Sequence, residues 1–418
     1  MSSRERLFAL EQFGIKLGLD NIRAILAALD HPEQAWRSIH IAGTNGKGSV
    51  AAMVERGLRA GGLVTGRYTS PHLDVIEERV AINGVPVDRQ TFSDATDRVF
   101  DAVDEASRAG VLTVVPTFFE VSTAVAFEIF RRARIDAAVV EVGLGGRFDA
   151  TNVLNPDITV ITSIAFDHER HLGTTLSQIA FEKAGIAKPG TPLILGRLPD
   201  EAARRIAEVA AAAGAPLIDA NAKTGTRAYP PVKLALNGRH QLENAAVAVA
   251  VLETWSARNS FLSTDAIVTG LTDCQWPARL EWLRLPGGGQ LLIDAAHNPA
   301  GAAALATYLQ DTNAAPLPVV LAVMADKDLP GMVKPLLPIA SAFIATTVAN
   351  ARARTAADLA SVLRELAPTL SVEAETDPAT AVTRALQQSP RAVVAGSIYL
   401  IGPLRARLLE KGAELMNM

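Results

Sequence analysis

Cysteine is nearly absent from this chain: Cys274 is the only one among 418 residues. An intramolecular disulfide and any cysteine-built zinc site are therefore excluded, and a reducing cytoplasm is the expected location. A surplus of charge is missing too, since 40 Lys and Arg face 44 Asp and Glu for a formal net charge of −4. Without a basic excess, neither nucleic acid nor an anionic membrane is expected as a main partner. No stretch reaches the run of about 18 apolar residues that a membrane helix needs. The start carries Arg4, Glu5, Arg6 and Glu11 where a signal peptide would be apolar. Glycine and proline, 30 and 23 residues, are too few for a disordered chain, and hydrophobic residues at 49% can fill a compact core. The length suggests roughly two to three domains.

Apolar, β-branched runs alternate with Ala-rich helical patterns from about residue 38 onward, the signature of βα units that build parallel sheets covered by helices. Residues 38–41, 137–140 and 158–161 read as strands of a first sheet, and 291–293, 319–323, 342–344 and 392–395 as strands of a second. Between the sets lie Trp276-Pro277-Ala278-Arg279 and Pro286-Gly287-Gly288-Gly289, suited to a hinge or a hairpin tip. The expected division is a first domain over 1–276, a linker over 277–286 and a second domain over 287–418.

After the strand at 38–41 comes Gly43-Thr44-Asn45-Gly46-Lys47-Gly48-Ser49, followed by Val50, Met53, Val54, Gly57 and Leu58 at helical spacing until Gly61-Gly62. Strand, glycine loop and helix stand in the order of a phosphate cradle. Glycines let backbone N–H groups converge on phosphate oxygens, the helix start adds partial positive charge, and Lys47 adds a full one. The spacing departs from the usual Walker pattern, with two residues between Gly43 and Gly46 and Gly48 between Lys47 and Ser49.

This loop resembles the ATP loop of the Mur ligase superfamily, and flanking motifs narrow the resemblance to the folylpolyglutamate synthase and dihydrofolate synthase family. They are Tyr68-Thr69-Ser70-Pro71-His72-Leu73, Arg79 to Gly84, EVGLGGRFDATN at 141–152, EKAGI at 182–186, and Asp294-Ala295-Ala296-His297-Asn298-Pro299. They run in family order from Leu17 to about Arg405. The resemblance implies an α/β fold, with a P-loop N-terminal domain on a mainly parallel sheet and a smaller Rossmann-like C-terminal α/β domain that acts in glutamate ligation.

Glu141 ends one apolar run and His168 follows another, so both are expected at the carboxyl edge of a parallel sheet, where doubly wound folds bind ligands. As residues they read equally well as strand-end hydrogen-bonding groups. The resemblance makes Glu141, His168 and Ser70 magnesium ligands, with Ser49 a further ligand from the loop and two Mg²⁺ ions expected beside ATP. Thr175 and Gln178 form a capping box, and Lys183 lies on the same helical face as Leu176. An inward lysine reads either as an ion pair or, by resemblance, as a carbamate formed with CO₂ that supports the metal site. A monovalent cation is a further candidate.

Thr117-Phe118-Phe119-Glu120 is a second capping box. By resemblance this segment, Leu17-Gly18-Leu19-Asp20, and Phe148, Asp149 and Ala150 line a pteroate pocket; Phe148 stands where the family commonly has Leu. Asn244 reads as helix surface, Arg279 as a linker ion-pair member and Asp294 as a strand-end carboxylate. The resemblance brings all three to ATP. Asn298-Pro299 is an N-cap followed by an N1 proline, and His297 is the candidate for the incoming amino acid.

The expected activity is an ATP-dependent amide ligase, with Lys47, Lys183 and His297 as its catalytic candidates. It would add L-glutamate to dihydropteroate and to reduced folates through an acyl phosphate, acting as a monomer. Alternatives are a ligase of polyglutamate tails only, another Mur-type ligase and a nucleotide-binding switch. A peptidoglycan ligase would carry a further N-terminal domain, for which the 42 residues before Gly43 are expected to leave no room.

Overall fold

The computed structural model describes residues 2–14, 18–222, 229–350 and 352–416. The chain divides into two compact units, one of residues 1–164, 172–235 and 243–274, the other of 165–171, 236–242 and 275–418.

The first unit is built on an eight-stranded sheet: β1 Arg37–Ala42, β2 Thr65–Tyr68, β3 Val80–Ile82, β4 Val85–Pro86, β5 Ala137–Glu141, β6 Ile158–Ile161, β7 Leu193–Leu195 and β8 Leu217–Asp219, in the order β4-β3-β2-β5-β1-β6-β7-β8. From β2 to β8 the pairing is parallel, and β3 and β4 add an antiparallel edge. The central strands are buried, save Arg37 at the start of β1, because each carries apolar residues on both faces, which is why they read as continuous runs rather than as alternation. One core cluster packs the helices Asp20–Ala28, Arg89–Arg108 and Phe118–Arg132 with β2 and β5, and Trp36 meets Phe127 and Phe130 edge-on at 5.3 and 5.5 Å. A second gathers the helices Leu176–Ala184 and Asp200–Ala213.

The second unit holds β9 Glu281–Arg284, β10 Gln290–Ile293, β11 Leu317–Leu321, β12 Ala340–Ala345, β13 Ser371–Ala374, β14 Arg391–Ala395 and β15 Glu414–Leu415, in the order β13-β12-β11-β14-β10-β9-β15. β13 to β10 run parallel, and β9 and β15 are antiparallel additions. The stretch 277–286, expected as a linker, carries β9 instead. Trp282 and Leu283 are buried and pair with Leu292 and Leu291, more apolar surface than a free connector can expose. The Pro286–Gly289 turn is the hairpin tip, closed by the Gly289 carbonyl accepting from the Leu285 N–H at 2.8 Å. The compact second unit starts at Gln275 and takes in two short stretches that the expected division placed in the first domain.

Candidate active site

In the first unit, the parallel strands β2, β5, β1 and β6 end along one edge, which brings Ser70, Glu141, the loop 43–49 and Thr162-Ser163 to neighbouring positions. The loop is pinned by its neighbour: the Ser163 carbonyl accepts from the Thr44 N–H at 2.8 Å, and Ser163 Oγ accepts from the Asn45 N–H at 2.9 Å. Gly43 has φ 147°, and a Cβ there would collide with Thr162 Oγ1. Gly46 has φ 85°, and a Cβ there would collide with Asn244 Oδ1, so the helix residue Asn244 lies against the loop. Gly46 is the N-cap of the helix Lys47–Ala60 and offers no side-chain cap. An uncapped helix start of this kind suits an anion.

Lys47 Nζ donates to the carbonyls of Gly43 and Thr44, each at 3.1 Å, and stands 3.8 Å from Glu141 Oε1. Lys183 is buried on the helix Leu176–Ala184, started by the Thr175–Gln178 capping box, and its Nζ donates to the Gly43 carbonyl at 2.8 Å. Two lysines thus converge on the Gly43 carbonyl, one from four residues downstream and one from 140. Ser49 is buried in the first helical turn, and Ser70 is half-buried beyond the end of β2.

Among the pteroate candidates, Leu17 lies outside the described residues. Gly18, Leu19 and Asp20 lead into the helix Asp20–Ala28, with Asp20 exposed. The Thr117–Glu120 capping box is present: Glu120 Oε2 accepts from the Thr117 N–H at 2.7 Å, and Thr117 Oγ1 accepts from the Glu120 N–H at 3.2 Å. Buried Glu120 also accepts from Asn21 Nδ2 at 3.4 Å, which ties this segment to the helix carrying Asp20. Phe119 lies 6.1 Å from the Tyr68 ring, and Phe118 is covered by the Arg79 guanidinium at 5.1 Å. Phe148 is 37% exposed, with Arg147 over its ring at 4.3 Å.

Asp149 is hydrogen-bonded within its own loop. Its Oδ2 accepts from the N–H groups of Gly143 and Leu144 at 3.0 and 2.9 Å, and its Oδ1 from the N–H and hydroxyl of Thr151 at 3.0 and 2.5 Å. With this acceptor capacity engaged, the carboxylate shapes the 143–150 loop, on which Ala150 opens a short 3₁₀ turn. Burial pushes Asp149 above the usual carboxylate range, while those hydrogen bonds pull against the rise.

His168, with φ 51°, lies in the stretch 165–171 that belongs to the second unit. Beside it, Asp167 accepts from Lys327 Nζ at 2.5 Å and Asn298 Nδ2 at 3.2 Å and stands 3.5 Å from His297 Nε2. Burial alone would raise Asp167, but His297, His168 and Lys327 outweigh it and hold the carboxylate well below its ordinary range. His297 Nδ1 faces the Ala295 carbonyl at 2.8 Å, and Asn298 caps the helix Pro299–Asp311 through the Gly301 N–H. Asp294 accepts from the N–H groups of Leu280 and Ala296 at 2.8 and 2.9 Å; burial pushes it upward against the nearby Arg279 charge.

Several neighbours escaped sequence reasoning. Arg67, buried on β2, stands 3.9 Å from Glu55, and Lys327 pairs with Asp167. For Lys327 the only local signal was Asp326-Lys327-Asp328 soon after an apolar strand. Thr162 and Ser163 carried the signal of hydroxyls directly after β6.

Among the described residues, no group of three or more His, Cys, Asp or Glu is gathered to hold a metal. A cation such as Mg²⁺ fits the first-unit edge through one carboxylate, Glu141, and serine hydroxyls, because it commonly takes few protein ligands and completes its shell with phosphate oxygens and water.

A Mur ligase family model, the glutamate ligase domain, matches residues 278–398. The dihydrofolate synthase/folylpolyglutamate synthase of Bacillus subtilis is 33% identical over 421 residues, covering 95% of this chain and 96% of the relative. Among solved structures, Mycobacterium tuberculosis folylpolyglutamate synthase complexed with ADP and AMPPCP superposes with a TM-score of 0.89 at 32% identity, over 99% of this chain and 100% of that one. A bifunctional folylpolyglutamate synthase/dihydrofolate synthase with Mn, AMPPNP and L-glutamate bound gives a TM-score of 0.85 at 30% identity, over 98% of each chain.

Proposed function

The chain belongs to the dihydrofolate synthase/folylpolyglutamate synthase family, and on that premise we propose that it is an ATP-dependent ligase joining L-glutamate to dihydropteroate and to the glutamate tail of reduced folates. The observation that carries this reading is the loop 43–49, where an uncapped helix start, Lys47, Glu141 and Lys183 converge on one strand edge.

In this reading the substrate carboxylate attacks the γ-phosphorus of ATP and ADP leaves, giving an acyl phosphate. The uncharged amine of glutamate then attacks the acyl carbon and expels phosphate, losing its proton as the amide forms. Lys47 and the amides of the helix start neutralise charge on the transferred phosphoryl group. Asn244, Arg279 and Asp294 are the further nucleotide contacts, Glu141, Ser49, Ser70 and His168 the metal ligands, and His297 the residue that meets the incoming glutamate. A divalent ion such as Mg²⁺, when bound, polarises the phosphoryl oxygens.

The pterin ring is assigned to the Leu17–Asp20, Thr117–Glu120 and Phe148–Ala150 segments; the part-exposed Phe148 ring, with Arg147 over it, supports stacking of a flat heterocycle. Carbamylation of Lys183 is proposed because a buried ammonium near a metal site is costly and a carbamate would reverse its sign. A monovalent cation, a monomeric state and a cytoplasmic location complete the reading on resemblance alone.

Coupled ADP release, measured with ATP and each of dihydropteroate and tetrahydrofolate with and without L-glutamate, tests it. Release should require both a pterin acid and glutamate. ATP hydrolysis indifferent to both would sink the ligase reading, and activity with tetrahydrofolate alone would reduce the enzyme to a polyglutamate synthase.

A further inference from the structure

Arg279 stands between two residues in the left-handed region, Ala278 at φ 59° and Leu280 at φ 47°. Neither is a residue type that visits this region readily, so the surroundings must enforce the conformation. Two carboxylates do so from either side. Glu281 Oε2 accepts from the Ala278 N–H at 3.1 Å, and Asp294 Oδ2 accepts from the Leu280 N–H at 2.8 Å. The carbonyls are held as well: that of Ala278 accepts from the Ala295 N–H and from Arg279 Nη1, each at 3.0 Å, and that of Leu280 accepts from Asn237 Nδ2 at 3.2 Å.

Glu281 is itself fixed. Arg405, on the helix Ile398–Glu410, grips it through Nε to Oε2 at 2.7 Å and Nη2 to Oε1 at 2.8 Å, a two-pronged pair with both side chains largely shielded. Such a pair fixes direction as well as distance. Glu281 Oε2 therefore serves two masters, the guanidinium of Arg405 and the backbone N–H directly before Arg279.

We propose that Glu281, oriented by Arg405, is a positioning residue for Arg279: it holds the left-handed backbone turn that sets where the Arg279 guanidinium reaches. The proposal rests on the reading of Arg279 as a nucleotide contact. If Glu281 acts through Arg279, its loss harms ATP binding and leaves the chemical step alone. A pair that merely stapled β9 to the helix would change thermal stability without moving the KM for ATP.

The test is a double-mutant cycle in the full chain, with steady-state kinetics at varied ATP and saturating co-substrates, for Arg279→Ala, Glu281→Gln and the double variant. Glu281→Gln should raise the KM for ATP about tenfold with kcat within about twofold, and it should add nothing in the Arg279→Ala background. Arg405→Leu should show the same pattern, with Arg405→Lys partly restoring it, and that series decides the matter if Glu281→Gln does not fold. Additive effects of the two changes, or an unchanged KM in the Glu281 and Arg405 variants, overturn the proposal alone. An unchanged KM in Arg279→Ala removes the reading of Arg279 as a nucleotide contact, and the proposal with it.

Discussion

Lys47 donates to two carbonyls of its own loop while facing Glu141, so the cation that would meet phosphate is already braced in the turn that presents it. Neither side chain belongs to an apolar cluster, so removing either is expected to leave the core packed. Lys47→Ala and Glu141→Ala are each expected to lower turnover by about a hundred- to a thousandfold, the scale lost when transition-state charge goes unneutralised. Thermal melting should show both folded, and near-normal turnover in either would remove the loop from the chemistry. Lys183 offers a second comparison. Lys183→Ala should lose most activity, and bicarbonate should stimulate the parent after carbonate-free dialysis; a parent indifferent to bicarbonate argues for a plain ammonium on the Gly43 carbonyl. The lysines and Glu141 were legible in the sequence because each belongs to a contiguous motif. Arg67, Lys327 and Glu281 were not, since their meaning lies in partners up to 160 positions away.

At the scale of elements, β1 is braced to the loop that follows β5 by a buried chain: His40 Nε2 meets Thr151 Oγ1 at 2.7 Å, and Thr151 meets Asp149. Burial, assisted by Lys188, pushes His40 from 6.5 down to about 3. The folded form thus refuses a proton that the unfolded chain accepts. Stability from this group is fully present above pH 6.5 and is lost on acidification towards pH 3, at roughly 1 kcal/mol per pH unit. Urea unfolding followed as the pH is lowered from 6.5 towards 3 should show a shallower pH slope for His40→Gln than for the parent; identical slopes would remove His40 as the cause. The Thr117–Glu120 and Thr175–Gln178 boxes and the central strands were readable because they depend on local spacing. The antiparallel β3, β4, β9 and β15 are short and depend on pairing across the sheet, and the structural work of Asp149 depends on four donors that no spacing rule collects.

At the scale of the whole molecule, the second unit draws on three stretches of chain, and its short ones carry groups its long one needs. Lys327 takes Asp167 from 165–171, and the Leu280 carbonyl takes Asn237 from 236–242. A fragment of residues 275–418 contains every strand of the second sheet and lacks both partners. Its melting temperature is expected to fall below that of the unit in the full chain, and Lys327→Met should destabilise the fragment less than it destabilises the parent, since the fragment's lysine faces no Asp167. Equal losses would show the pairing to be idle.

That threading also sets a timetable. The stretch 165–171 leaves the ribosome roughly 240 residues before β15 completes the sheet of the unit it will join, which at about 5–20 residues per second is a wait of roughly 10–50 seconds. Early in that interval the last strands of the first sheet, β7 and β8, are made, and until Lys327 follows, Asp167 is an unclaimed carboxylate. Synthesis pausing late in the chain would lengthen the exposure, so codon choice over 275–415 is expected to influence how much of this protein reaches its folded state.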